Sequence, residues 1–297
     1  MDKTVTIFLE PDMKASAEAG EHNFIGKVEA VLRGGGFDVR YADEATRDEP
    51  FEGRALVHMC PPMNDQTLVM RRAYAYPFWG IEPSDKRWEW DVAKARFNPE
   101  VVKVTKAQRF VRNRRNKLFP DAVENREGFV YIPLQGRISE QRSFQAASPL
   151  EMIEAVIAND SNRDIVIGTH PKESYSETDI AALEKLEQSH ARVTVVSGQM
   201  EHYLPRCDYV VTQNSSAAFF GYFFHKPAVL FGQIDFHHIA ANVHELGVEA
   251  ALAQGPDMTP EFERYIWWFW QEQMINAGRP EAEEQISERL KRAGWIS

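Results

Sequence analysis

The chain has 297 residues, 43% of them hydrophobic and 26% charged, with a formal net charge of −10. That length and apolar content suffice for two modest globular domains or one large one. The acidic balance excludes general nucleic-acid binding, which needs a basic footprint to displace counterions, and no apolar run nears the roughly 18 residues of a membrane span.

Taken from the amino terminus, Thr4–Leu9 (TVTIFL) reads as an apolar, β-branched strand. Phe24–Leu32 has apolar residues at helical spacing, and Gly34-Gly35-Gly36 stops it. Phe37–Tyr41 and Ala55–Met59 read as short strands, so the first part is a small α/β unit with a parallel sheet. From Arg71 to Asp121 aromatic residues punctuate a polar segment that reads as mostly helical. Its last part, Lys103 to Lys117, is basic and carries no acid. Two readings stand for it, a solvated helix face complementing the helix dipole or a patch for an anionic substrate or lipid headgroups. The polar stretch Asp121–Gly128 resembles a linker and predicts a first domain over 1–125 and a second over 126–297.

Beyond it the alternation becomes regular. Strands are predicted at Phe129–Pro133, Asp164–Gly168, Val193–Val196, Tyr209–Thr212 and Ala228–Phe231, and helices at Pro149–Ala158, Ser176–Gln188 and Ala217–Phe224. The strands are continuous apolar runs, as expected when helices cover both faces of a parallel sheet. Two amphipathic helices, Pro260–Ala277 and Pro280–Ala293, close the chain and are free to pack back on the first domain. The aromatic run Tyr265–Trp270 covers nearly the whole helix circumference, which predicts burial over insertion at a membrane interface; peripheral contact with the inner membrane, through this run or through Lys103–Lys117, stays open as the alternative.

Three of these strands end in polar clusters: Pro133-Leu134-Gln135-Gly136, His170-Pro171-Lys172 and Thr212-Gln213-Asn214-Ser215-Ser216. Open α/β sheets bind ligands outside the carboxyl ends of their strands and hold phosphates at the helix starts that follow. His170, held extended by Pro171, can donate to a phosphate or ribose, and Lys172 adds a positive charge. Asn214 or Ser215 can cap the next helix, and a cap and a phosphate compete for the same N–H donors. Gln199, in the turn after another strand, frames a base or ribose through backbone groups. His237-His238 is no metal pair by spacing, because neighbours in an extended segment point to opposite sides, but His238 is placed to line the cleft. Cys60 and Cys207 read as reduced, buried thiols. There is no P-loop, no G-x-G-x-x-G and no G-x-S-x-G. The amino terminus lacks the apolar core of a signal peptide, so a cytoplasmic protein is expected.

In this order, Ile132-Pro133-Leu134-Gln135, His170-Pro171, Gln213-Asn214-Ser215-Ser216 and Lys226-Pro227 resemble the bacterial capsule polysaccharide biosynthesis family, which includes the Kdo transferases. The His-Pro and Ser-Ser pairs are also similar to the CMP-binding motifs of bacterial sialyltransferases. The resemblance spans residues 128–240. It implies a GT-B-like α/β fold, two Rossmann-like domains with parallel sheets facing across a cleft, the second binding a nucleotide sugar. It implies CMP-Kdo as co-substrate with no metal or other cofactor, and a surface-polysaccharide or glycolipid acceptor. By position, His170, Pro171, Lys172, Gln199, Asn214, Ser215 and Ser216 would hold the nucleotide, and Gln135, Arg137 and His238 the substrate. The family carries a catalytic acid shortly after the Gln of the first motif. Here only Glu140 is near that place, and Glu10 and Asp12, at the end of the first strand, are its rivals. Two further readings share the pattern: a GT-B-like enzyme using another nucleotide sugar (a UDP-sugar transferase or epimerase), and a non-catalytic glycan-binding member of an export complex.

Overall fold

Strand β1 (Thr4–Leu9) forms where the sequence predicts it in the computed structural model, which describes residues 3–296. Met1 and Asp2, part of the amino-terminal reading, and Ser297 lie outside the described residues. Helix α1 (Pro11–Glu18) follows at once and starts on a proline, whose missing N–H has no partner to lose there. It buries only Ala17, so it leaves no apolar stripe for periodicity to detect. Helix α2 (Asn23–Gly34) buries Phe24, Ile25, Val28 and Leu32, the stripe that predicted it.

Strands β2 (Asp38–Asp43) and β3 (Arg54–His58) complete the first βα alternation. The segment read as mostly helical departs from that expectation. Two strands, β4 (Thr67–Arg72) and the antiparallel β5 (Phe78–Glu82), reach into it before any helix. Phe78 to Glu82 are all buried, and a run that short and that apolar carries no period that separates strand from helix. After the short α3 (Asp91–Lys94), the helix proper is α4 (Val104–Leu118), with Ala107 and Val111 inside and most of its basic residues exposed.

The chain divides into two compact units, 1–94 with 269–297 and 95–268. The boundary therefore falls before α4 and not near residue 125. The apparent linker is held within the second unit: Asn125 N–H donates to Pro205 O, Glu127 N–H to Arg206 O, and the buried Lys226 ammonium to Asn125 O.

The second unit runs β6 (Phe129–Pro133), α5 (Pro149–Asn159), β7 (Asp164–Thr169), α6 (Glu177–Ser189), β8 (Val193–Ser197), α7 (Met200–Tyr203), β9 (Tyr209–Thr212), α8 (Ser216–Gly221), β10 (Ala228–Leu230) and β11 (Ala241–Asn242). Three helices follow, α9 (Val243–Leu246), α10 (Val248–Gln254) and α11 (Phe262–Trp268). Capping boxes start α5 at Ser148/Glu151 and α6 at Ser176/Asp179. All six strands are parallel, in the order β11-β10-β9-β6-β7-β8. That is the doubly wound Rossmann order, with its reversal between β6 and β9.

The predicted helix Pro260–Ala277 is broken. After α11 the aromatic run passes into a π-helical turn, Phe269–Gln273, and then into β12 (Ile275–Asn276), which pairs antiparallel with β5. Helix α12 (Ala282–Arg292) packs on α2 through Ile286 and Leu290. The first sheet is thus β12-β5-β4-β3-β1-β2, parallel except at β5 and its two pairings. The aromatic run is buried as predicted, but by different partners along its length. Trp268 packs on Phe97 in the second unit, whereas Trp270 stacks on Phe78 at 4.6 Å in the first. Each unit is therefore a Rossmann-like α/β layer structure.

Candidate functional site

The second unit's carboxyl edge collects the three predicted clusters. At the reversal, Thr212 Oγ1 donates to Pro133 O at 3.0 Å, which ties the ends of β9 and β6 together. Leu134 N–H donates to Gly168 O, joining the β6 loop to β7. The close approach needs Gly168: a Cβ there would lie 2.5 Å from the Tyr131 hydroxyl oxygen. The loop after β6 then bends through Gly136, whose φ of 39° suits glycine, against Glu173 in the His-Pro loop. Pro171 lies against Gly198, so the turn carrying Gln199 joins the same edge.

Within that edge, several polar groups remain open. His170 is exposed, and its Nδ1 accepts from Lys172 N–H at 3.2 Å. With Nδ1 accepting, the neutral ring carries its proton on Nε2, which leaves a donor for a ligand. Lys172 is exposed. Ser215 is the N-cap of α8, its hydroxyl accepting from Ala217 N–H at 3.3 Å, so one donor of the helix start is already used. Asn214 and Gln135 are half-buried, with no side-chain hydrogen bond among the described residues. Gln213 is nearly fully buried, donates to Ala147 O at 3.0 Å, and leaves its Oε1 without a partner among the described residues. The helix α8 is six residues long, shorter than predicted, with Tyr222–Phe224 continuing as a 3-10 turn. Its dipole is correspondingly modest.

The remaining predicted residues have partners of their own or lie in the first unit. Glu140 sits on an exposed turn, its carboxylate 3.8 Å from the Arg137 guanidinium. Glu10 and Asp12 belong to the first unit: Asp12 is exposed in the first turn of α1, and Glu10 bonds His58. His238 is engaged on both nitrogens, Nε2 donating to Ala95 O at 3.0 Å and Nδ1 accepting from Tyr265 at 2.9 Å. It stands with His237 in a 3-10 turn, not an extended segment, and the two rings stack at 4.3 Å. The pair thus shares a face, contrary to the alternation expected of an extended segment. Cys207 is buried, and burial pushes its thiol up to about 12. Cys60 is only half-buried, and burial, with its bond to Glu44, raises its thiol to about 11.

No protein-family model matches the sequence, and no curated protein does. Solved structures do. The chain is similar to a Thermosulfurimonas dismutans KpsC β-Kdo 2,7 transferase at 13% identity and a TM-score of 0.48, over 97% of this chain and 99% of that one. It is similar to the β-Kdo 2,4 transferase of KpsC from the same organism at 13% identity and a TM-score of 0.48, over 89% of each chain. A third is the S. aureus MnaA–UDP co-structure, at 13% identity and a TM-score of 0.39, covering 100% of this chain and 98% of that one. These are likenesses of chain path.

One residue at the edge escaped the sequence motifs. Arg142, half-buried in the loop after β6, lies over the Phe144 ring at 4.9 Å, its Nε without a hydrogen-bond partner among the described residues. Burial, with Arg137 nearby, lowers its pKa, and Glu140 and Glu173 are its countercharges. A lone arginine in a polar loop gives no periodic signal. The available clue was its position after a strand end, with Arg137 five residues before it in the same loop. Among the described residues no group of three His, Cys, Asp or Glu side chains could hold a metal ion, and no helix is long and apolar enough to cross a membrane.

Proposed function

We propose that the protein is a glycosyltransferase that takes an acidic sugar, Kdo, from CMP-Kdo and passes it to a surface-polysaccharide or glycolipid acceptor. The observation supporting this is the convergence of the Gln135, His170 and Asn214–Ser216 clusters on the carboxyl edge of one parallel sheet, at the reversal of its strand order. That is where doubly wound sheets hold nucleotides. Ser215 and Ser216 offer N–H groups to a phosphate, and His170 Nε2 donates to a phosphate oxygen or ribose. Lys172, Arg137 and Arg142 supply positive charge at the same edge. When the glycosidic bond breaks, its electron pair leaves on the nucleotide phosphate, and cations and N–H donors there stabilise the developing charge. Gln135 and Asn214, with free amides, are placed to fix the base or the sugar.

The exposed, Arg137-paired position of Glu140 favours a second reading, in which this unit binds a nucleotide sugar without a catalytic acid of its own. Calorimetric titration of the full chain with CMP, UDP, GDP and ADP tests the first. CMP should bind tightest, and His170→Ala and the Ser215→Ala/Ser216→Ala pair should each weaken it by about 1–3 kcal/mol, the worth of charge-assisted hydrogen bonds. No preference for CMP, or unchanged affinity in both variants, defeats the assignment. Release of CMP from CMP-Kdo in the presence of a glycan acceptor then separates enzyme from binding protein.

A further inference from the structure

The Gly34-Gly35-Gly36 stop does more than end α2. It borders a pocket of about 600 Å³ in the first unit, within the roughly 300–1,000 Å³ typical of small-molecule sites. Lys3 stands immediately before β1, Phe37 immediately before β2, and Arg54 opens β3, so the pocket lies where these parallel strands begin. The 6 residues of β1, at about 3.3 Å each, put roughly 20 Å between this edge and the carboxyl edge. Helix α12 contributes Ser287 and Lys291, one helical turn apart and on one face, and Trp295 follows its end.

Lys3, Arg54 and Lys291 line this pocket, and none of its walls among the described residues is acidic. In a chain with 34 basic and 44 acidic residues, that is a local reversal of the charge balance. None of the three cations makes an ion pair or a side-chain hydrogen bond among the described residues. The Arg54 guanidinium lies over two rings, 5.3 Å from the Phe37 centroid and 5.7 Å from that of Trp295. Its Nε is buried without a hydrogen-bond partner among the described residues. The rings thus hold the guanidinium in place while its planar fork of N–H donors, which matches phosphate oxygens, stays unused. A buried donor left open costs stability and calls for an acceptor. The carbonyls ending α2 and α12 do not serve. Phe37 N–H donates to Leu32 O at 3.1 Å and Trp295 N–H to Leu290 O at 2.9 Å, so each helix closes on its own chain. Glycine at the turn keeps the Lys3 ammonium in the pocket: a Cβ on Gly36, φ 82°, would lie 3.0 Å from Lys3 Nζ.

We propose that this pocket is a second ligand site, for a phosphate group, whether free, on a small soluble monoester or on a lipid headgroup. Arg54 meets two phosphate oxygens through its fork, Lys3 and Lys291 supply point charges, and the Ser287 hydroxyl donates to a remaining oxygen. Three cations suit a dianion better than a single carboxylate. The site lies at the edge opposite the strand ends where open α/β sheets bind their substrates. It draws nothing from the nucleotide reading of the second unit.

The test titrates the full chain with inorganic phosphate, following the Arg54 Nε–H and Trp295 indole N–H signals by NMR. Both signals should move together and saturate, and acetate at equal ionic strength should bind more weakly. Arg54→Gln should weaken phosphate binding about tenfold, the equivalent of one lost charge-assisted hydrogen bond. Arg54→Lys should restore only part of it, because the charge returns without the fork. Lys291→Ala, at an exposed position on α12, serves if Arg54→Gln does not fold, and should weaken binding about threefold. The Ser215→Ala/Ser216→Ala pair and Lys185→Ala, both in the second unit, should leave the titration of the Arg54 and Trp295 signals unchanged. Two further probes identify the source of the phosphate. Tighter binding of glycerol 3-phosphate than of phosphate assigns a soluble monoester. Retention on vesicles of phosphatidylcholine and phosphatidic acid, lost in Lys291→Ala, assigns a headgroup, and neither result assigns free phosphate. Signals unmoved throughout the phosphate titration, equal binding of acetate, or affinity unaltered in the Arg54 and Lys291 variants overturns the proposal.

Discussion

His225 offers a sharp test of how the second unit is held together. It follows the turn after α8 with φ 51°, and its two ring nitrogens contact Glu124 Oε1 at 2.8 Å and Glu263 Oε1 at 3.0 Å. One carboxylate comes from the segment before β6 and the other from α11, so the imidazolium bridges three parts of the unit. The hydrogen bonds from Glu124 and Glu263 raise its pKa from 6.5 to about 9, against burial, which lowers it. A histidine raised in this way stabilises the fold fully below its unfolded value of 6.5, and the contribution is lost as pH rises to about 9. At full strength the shift would be worth roughly 3 kcal/mol. The side chain is 46% exposed and its partners 30% and 29%, so water and salt screen the charges. We therefore expect about 1 kcal/mol. At the acid end the same contacts act through the carboxylates. Glu263 is lowered chiefly by the His225 hydrogen bond, and Glu124 is lowered because its bonds to His225 and Arg115 outweigh burial. Their share is lost as pH falls below the ordinary carboxylate range. Urea denaturation of the wild type and of His225→Gln at pH 6 and pH 9.5 measures it. The variant should be about 1 kcal/mol less stable at the lower pH and nearly equal at the higher. An equal deficit at both values would refute the charged bridge.

Two further perturbations probe the sheets. Gly168→Ala places a Cβ 2.5 Å from the Tyr131 hydroxyl oxygen, an overpacking expected to cost about 1–3 kcal/mol; in a Tyr131→Phe background the cost should shrink, and strict additivity in denaturant melts would contradict the contact. In the first unit Arg289 contacts Glu82 Oε1 at 3.3 Å and Asp91 Oδ2 at 3.0 Å, and burial raises the Glu82 carboxyl to about 7. Raised above its unfolded value, Glu82 makes stability fall as pH climbs from about 4.5 to 7. Arg289→Ala, leaving that carboxylate buried without its guanidinium, should lose about 3–5 kcal/mol at pH 8 and clearly less at pH 5, where Glu82 is neutral. Thermal melts at the two pH values give the comparison, and an equal loss at both would count against it.

The sequence alone determined most of the second unit. Strands β6, β7, β8 and β9 were legible because a parallel strand covered on both faces is a short continuous apolar run with a polar end, a local property. The clusters at Gln135, His170 and Ser215 were legible for the same reason: each is a strand end followed by a turn. Only the tertiary structure decided what depends on distant partners. Phe78–Glu82 is a strand because it pairs with β4 and β12, and β12 comes from 275–276, nearly two hundred residues later. The aromatic run looked like one helix, yet Trp268 and Trp270 serve different units. The apparent linker at 121–128 is tied down by Pro205, Arg206 and Lys226, none of them near it in sequence. The pairing of Glu10 with His58 spans 48 residues. Local pattern reports which residues must be buried and where the chain must turn. It does not report which buried surfaces meet, because that choice is made by the summed packing of the whole chain.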